Sequence, residues 1–189
     1  VVNDKELDAM LLRHPARPGA QLQDSQARGI ITHQLGSRQL TRRRGQRGEI
    51  KLSVLAPVWF PVPPTGYGGI EWIVWLLADG LVDAGHEVTL FAAGDSHTRA
   101  KLDFVYDEAL GEEIGRAVPD LRPVLHCYGQ QDEFDLINDH TGIMAAAIGG
   151  SLRTPVAHTV HGPLDGYPGV LYEHIGTEAP KVGLISISQ

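Results

Sequence analysis

Residues 49–92 read EIKLSVLAPVWFPVPPTGYGGIEWIVWLLADGLVDAGHEVTLFA, and three elements follow from this stretch. Ile50 to Ala56 is apolar and rich in strand formers, and Pro57 ends it. Ile70, Ile73, Val74, Leu77 and Leu81 then recur at helical spacing, the apolar stripe of a helix laid on a sheet. Gly85 is placed to close that helix, as a residue free to take positive φ. Glu87 to Ala92 is a second strand. A strand, a helix and a strand in this order form a βαβ unit.

The alternation continues to the end of the chain. Asp107 to Tyr128 reads as helical with interruptions near Pro119 and Pro123, Phe134 to Asn138 as a strand and Thr141 to Gly149 as a short helix. Pro155 to Val160 and Val182 to Ile187 supply two further strands. Strands alternating with helices predict an α/β, Rossmann-like, doubly wound parallel sheet over residues 49–189. Ligands of such sheets sit beyond the carboxyl ends of the strands.

Residues 1–48 differ in kind. They hold nine of the sixteen Lys and Arg residues but four of the twenty-three Asp and Glu, and only Met10, Leu11 and Leu12 form an apolar cluster. Such a segment buries too little apolar surface to offset its ordering entropy. It reads as a disordered basic tail, or as sequence upstream of the natural start. The run Arg42-Arg43-Arg44 admits a nucleic-acid or membrane-surface patch, with a solvated tail as the simpler reading. The body from Glu49 onward is strongly acidic within a formal net charge of -7, which argues against nucleic-acid binding. The single cysteine, Cys127, excludes an internal disulfide and a multi-cysteine metal cluster and suits a cytoplasmic setting.

Candidate chemistry lies in three loops. Gly68 and Gly69 open the first helix, where unpaired backbone N–H groups and the positive end of the helix dipole favour an anion. The same glycines also serve a plain turn into the helix. Glu71, in the first helical turn, suits the dipole and has the reach to bind a sugar hydroxyl. A strict G-x-G-x-x-G count from Gly66 and Gly68 puts Glu71 where Gly or Ala should stand, which weakens a nicotinamide reading although Asp95 follows the second strand as a ribose partner would. Asn138-Asp139-His140 follows the third strand and His158-Thr159-Val160-His161 the next. Two imidazoles at adjacent strand ends can orient a hydroxyl or steady a phosphate. Residues three apart on a strand face opposite ways, so His161, before Gly162-Pro163, is the exposed candidate and His158 the packed one. His140, His158 and His161 lack zinc-site spacing, and no metal or cofactor is expected. Trp59 and Phe60 are candidates to stack on a sugar face, Trp72 and Trp75 to pack.

Taken in order, these segments resemble the family 4 glycosyltransferases of the GT-B architecture. The matching elements are Ala56-Pro57, the loop from Pro63 to Glu71, Gly85 to Ser96, Asn138-Asp139-His140 and Thr159 to Pro163. The resemblance implies retaining transfer of a sugar from a nucleotide diphosphate sugar to an acceptor hydroxyl. It places His161 beside the transferred sugar and Gly68 and Gly69 near the donor phosphates, with Glu71, Asp139 and His140 as further substrate-binding candidates. It also implies a second, C-terminal domain that binds the donor, supplied beyond residue 189 or by a second polypeptide, without which residues 49–189 are expected to be inactive. The alternative is a non-catalytic Rossmann-like domain that binds a sugar or an anion.

Overall fold

A computed structural model describes residues 49–187; the expected tail, residues 1–48, lies outside the described residues. Six strands form one sheet: β1 (Lys51–Leu55), β2 (Glu87–Phe91), β3 (Lys101–Asp103), β4 (Leu136–Asp139), β5 (Val156–Val160) and β6 (Val182–Ser186). Their order is β3-β2-β1-β4-β5-β6 and every pairing is parallel. The helices are α1 (Gly69–Asp83), α2 (Ala117–Gly129), α3 (Ile143–Gly149) and α4 (Gly166–Glu178). The strand order runs outward in both directions from β1 and β4, so the crevice of a doubly wound sheet opens between their carboxyl ends.

Each face of the sheet carries its own core, because side chains alternate along a strand. Leu52, Val54, Val88 and Leu90 point to the face that receives Ile73, Val74 and Leu77 of α1. Leu55, Phe91, Ile137 and Val156 point to the other, where Val124 of α2, Ala145 of α3 and Ile175 of α4 pack.

The first helix has the expected ends. Gly68 is its N-cap at φ 145°. At the other end the Gly85 N–H donates to the Val82 carbonyl at 3.0 Å and the His86 N–H to the Leu81 carbonyl at 3.1 Å, with Gly85 at φ 87°. This paired arrangement is the Schellman closure, in which a left-handed glycine lets the next two N–H groups reach back to the helix.

Three elements differ from the sequence expectation. The helix expected from Asp107 begins only at Ala117, after a short 3-10 turn at Gly111–Glu113. Pro119 does not interrupt it, because a first-turn N–H has no intrahelical partner to lose. Pro123 stands inside the helix, and the Tyr106 hydroxyl donates at 3.3 Å to the Pro119 carbonyl that Pro123 cannot satisfy. Strand β3 and helix α4 were not expected. The former has three residues, and the latter buries only Tyr172 and Ile175 and contains Pro168 and three glycines, which hide its periodicity.

Candidate active site

A cleft of about 470 Å³ opens at the carboxyl edge of the sheet, within the size range of small-molecule sites. Pro57 and Trp59 from the loop after β1, Ile70 from α1 and His140 to Met144 after β4 line it. His161 to Pro163 after β5 and Asp120 and Leu121 of α2 complete much of the wall.

The structure brings His140 and His161 together. His140 Nδ1 and His161 Nε2 are 2.9 Å apart, with ring centroids separated by 5.1 Å. This meeting needs strand β5 to end at Val160, so that His161 is free to lean across to the β4 terminus. Burial drives the His140 imidazole well below its ordinary pKa, with the neighbouring His161 adding to the effect. Burial likewise pushes His161 down to about 4, reinforced by His158 and opposed by Asp139. Both rings are therefore neutral near pH 7. In such a pair one ring donates its N–H and the other accepts. His140 Nε2 is buried with no partner among the described residues.

Asp139 and His158 lie behind this pair, on the opposite face of the sheet. Asp139 is fully buried, and its Oδ2 lies 2.7 Å from His158 Nδ1. Its Oδ1 accepts from the Thr141 N–H at 2.9 Å and the Thr141 hydroxyl at 2.6 Å. The Tyr128 hydroxyl approaches Oδ2 at 3.3 Å, and Tyr172 reaches His158 Nε2 at 3.2 Å. Burial alone would raise the Asp139 carboxyl, but His158 and the Thr141 hydrogen bonds hold it below its usual value. With both oxygens committed and no exposure, Asp139 does not line the cleft. It fixes the turn that carries Thr141 and His140. His158 is packed in the manner expected of it.

The glycine loop lies beside the cleft without lining it. Gly69 is exposed and has no atom within 4 Å of where a Cβ would stand. Gly68 is buried, and a Cβ there would meet Pro64 at 2.8 Å and Glu71 Oε2 at 2.9 Å. Glu71 is only 3% exposed, and its carboxylate folds back over the start of its own helix. Burial raises its pKa, partly offset by a hydrogen bond from its own N–H. Trp59 lines the cleft, whereas Phe60 packs edge-on against Tyr67 and Trp72 edge-on against Trp75.

One cleft residue had no signal in the sequence. Asp120 accepts the Gly142 N–H at 3.1 Å on Oδ2, and burial pushes its carboxyl up to about 6. The two residues are 22 positions apart, and only the packing of α2 against the β4–α3 turn joins them. Among the described residues, no group of three or more His, Cys, Asp or Glu could hold a metal ion, and no helix is long and apolar enough to cross a membrane.

The family model for Glycosyltransferase Family 4 matches residues 67–181. The chain belongs to that family. The match opens in the glycine loop and closes one residue before β6, so the family 4 region contains both cleft histidines, Asp120 and the whole Asp139 network. Glycosyl transfer between a sugar donor and an acceptor is the chemistry of the family. No curated protein matches the chain. Among solved structures, the crystal structure of yeast ynu0 (YNL200c) aligns at 12% identity and a TM-score of 0.37, over 84% of this chain and 68% of that one.

Proposed function

We propose that residues 49–189 form the acceptor-side half of a glycosyltransferase that moves a sugar, with retention, from a nucleotide diphosphate sugar to an acceptor hydroxyl. The observation that carries this reading is the contact between His140 and His161 in the cleft wall at the carboxyl edge of the sheet. A neutral imidazole is a hydrogen-bond partner for sugar hydroxyls and does not need to lose a proton to accept one. With a pKa of about 4, His161 acts as such a partner at neutral pH and not as a proton donor. Charge developing on the departing diphosphate calls for positive dipoles, and the start of α1 at Gly69 lies beside the cleft, with the Glu71 carboxylate folded over it.

In this reading the donor is held by a second βα domain facing the cleft, and Gly68, Gly69 and Glu71 serve at the junction. Exposed apolar side chains support a facing partner: Tyr167 is 94% and Val118 79% exposed, and Met144 and Leu164 are also uncovered. Apolar surface of this kind beside a cleft marks a place of contact. The buried, reduced Cys127 is consistent with a cytoplasmic enzyme.

The test is to incubate the protein in its native assembly with UDP- and GDP-sugars and a panel of hydroxyl acceptors. Nucleoside diphosphate release with a product of unchanged anomeric configuration is expected. Absence of release with every donor overturns the proposal, and an inverted product overturns its stereochemical part.

A further inference from the structure

The cleft contains a carboxylate that the histidine pair leaves unused. Asp120 of α2 lines the wall, with Oδ2 fixed by the Gly142 N–H at 3.1 Å. Its Oδ1 is buried and has no partner among the described residues. The same wall carries the buried, unpartnered Nε2 of His140, a side chain only 1% exposed. A buried polar atom left unpaired costs about 1–3 kcal/mol. Two such atoms in one cleft are positions that a water or the polar groups of a ligand can satisfy.

The chemistry of the pair selects the ligand. An ionised carboxylate only accepts, so Asp120 calls for a donor and repels a phosphate or carboxylate. Arg116, the other full charge in the lining, is largely exposed and pairs with Glu113 at 2.7 Å. A hydroxyl fits best, since it donates to Oδ1, and a second hydroxyl of the same molecule can meet the His140 ring in either tautomer.

We infer that Asp120 binds and orients a hydroxyl of an uncharged polyol or sugar in this cleft, with Oδ1 accepting the hydroxyl proton and Gly142 holding the carboxylate in place. Calling that molecule the acceptor rests on the glycosyl-transfer reading above, whereas the binding itself does not. Gly142 matters for the same reason. A Cβ there would stand 3.1 Å from Asp120 Oδ2, so a side chain would push the carboxylate aside.

Saturation-transfer NMR on the full chain tests the inference, with D-glucose, myo-inositol and glycerol at millimolar concentration and D-glucose 6-phosphate as the charged comparison. The wild type is expected to bind at least one neutral probe. Asp120→Ala should weaken that binding ~10-fold, the value of a charge-assisted hydrogen bond. Asp120→Asn keeps an oxygen for the Gly142 N–H and so guards against loss of the fold, and it should weaken binding by less. Equal binding by wild type and Asp120→Ala overturns the inference. So does failure of the wild type to bind any neutral probe, or a preference for the phosphate. None of these outcomes decides the transfer reading, which depends on nucleoside diphosphate release by the native assembly.

Discussion

His158 Nδ1 stands 2.7 Å from Asp139 Oδ2, and neither side chain is exposed to solvent at all. Together with Tyr128, Thr141 and Tyr172, this contact ties the end of β4 to β5, α2 and α4. Removing one member of a buried pair leaves the other without its partner in a medium of low polarity. Asp139→Ala is therefore expected to destabilise the protein by about 3–5 kcal/mol. Equilibrium unfolding in urea measures it, and a loss below ~1 kcal/mol would contradict the role given to Asp139.

The two glycines at the start of α1 should respond differently to the same change. Gly68 has φ 145°, and a Cβ there would lie 2.8 Å from the Pro64 ring. Gly68→Ala is expected to lose about 1–3 kcal/mol. Gly69 has open space around it and helical geometry, so Gly69→Ala should be neutral or slightly stabilising. Thermal unfolding of the two variants side by side gives the comparison.

The pH dependence of stability follows from the direction of three shifts. His140 and His161 have pKa values below 6.5 in the folded state, His161 at about 4. The unfolded chain then binds more protons than the folded one below pH 6.5, so stability present above that pH is lost as the pH falls towards 4. Asp120 acts in the opposite sense. Its pKa of about 6 lies above the ordinary 3.8, so its contribution is present at low pH and lost as the pH rises through 6. His161→Gln should flatten the acid loss of the thermal midpoint, and Asp120→Asn should steepen it. A His161→Gln profile superimposed on the wild type would contradict the assignment.

Cys127 is expected to be inert in the folded protein. Burial pushes its thiol up to about 12, with the Ser53 hydroxyl and Asp139 as smaller influences, and it is the thiolate that reacts. Iodoacetamide at neutral pH should leave the native chain unmodified and label it once urea unfolds it. Rapid stoichiometric labelling of the folded chain would show that the thiol is reachable.

Much of the sheet was legible in the sequence because parallel strands buried on both faces read as short apolar runs. Five of the six strands and the boundaries of α1 follow from such runs and from Gly85. Strand β3 was hidden by its three-residue length, and α4 by its glycines and Pro168. The candidate site was legible only in part. His140 and His161 stand out as histidines after strand ends, and the reversal of side-chain direction along β5 already separates His161 from His158. Their contact depends on the β4–β5 register, which no local pattern encodes. Asp139 looks like a loop acid beside His140 and proves to be buried, because it faces α2 and α4 rather than the cleft. Asp120 resembles an ordinary first-turn helix acid, and only the approach of Gly142 distinguishes it.

The most direct test of the account is the acceptor-dependent release of nucleoside diphosphate by the native assembly carrying His161→Ala. The proposed role of the His140–His161 pair predicts a fall in kcat of ~100-fold or more, as for loss of a positioned group in the transition state, with the fold intact by circular dichroism. Release at the wild-type rate from the folded variant would contradict the account, because the imidazole would then have no part in the transfer.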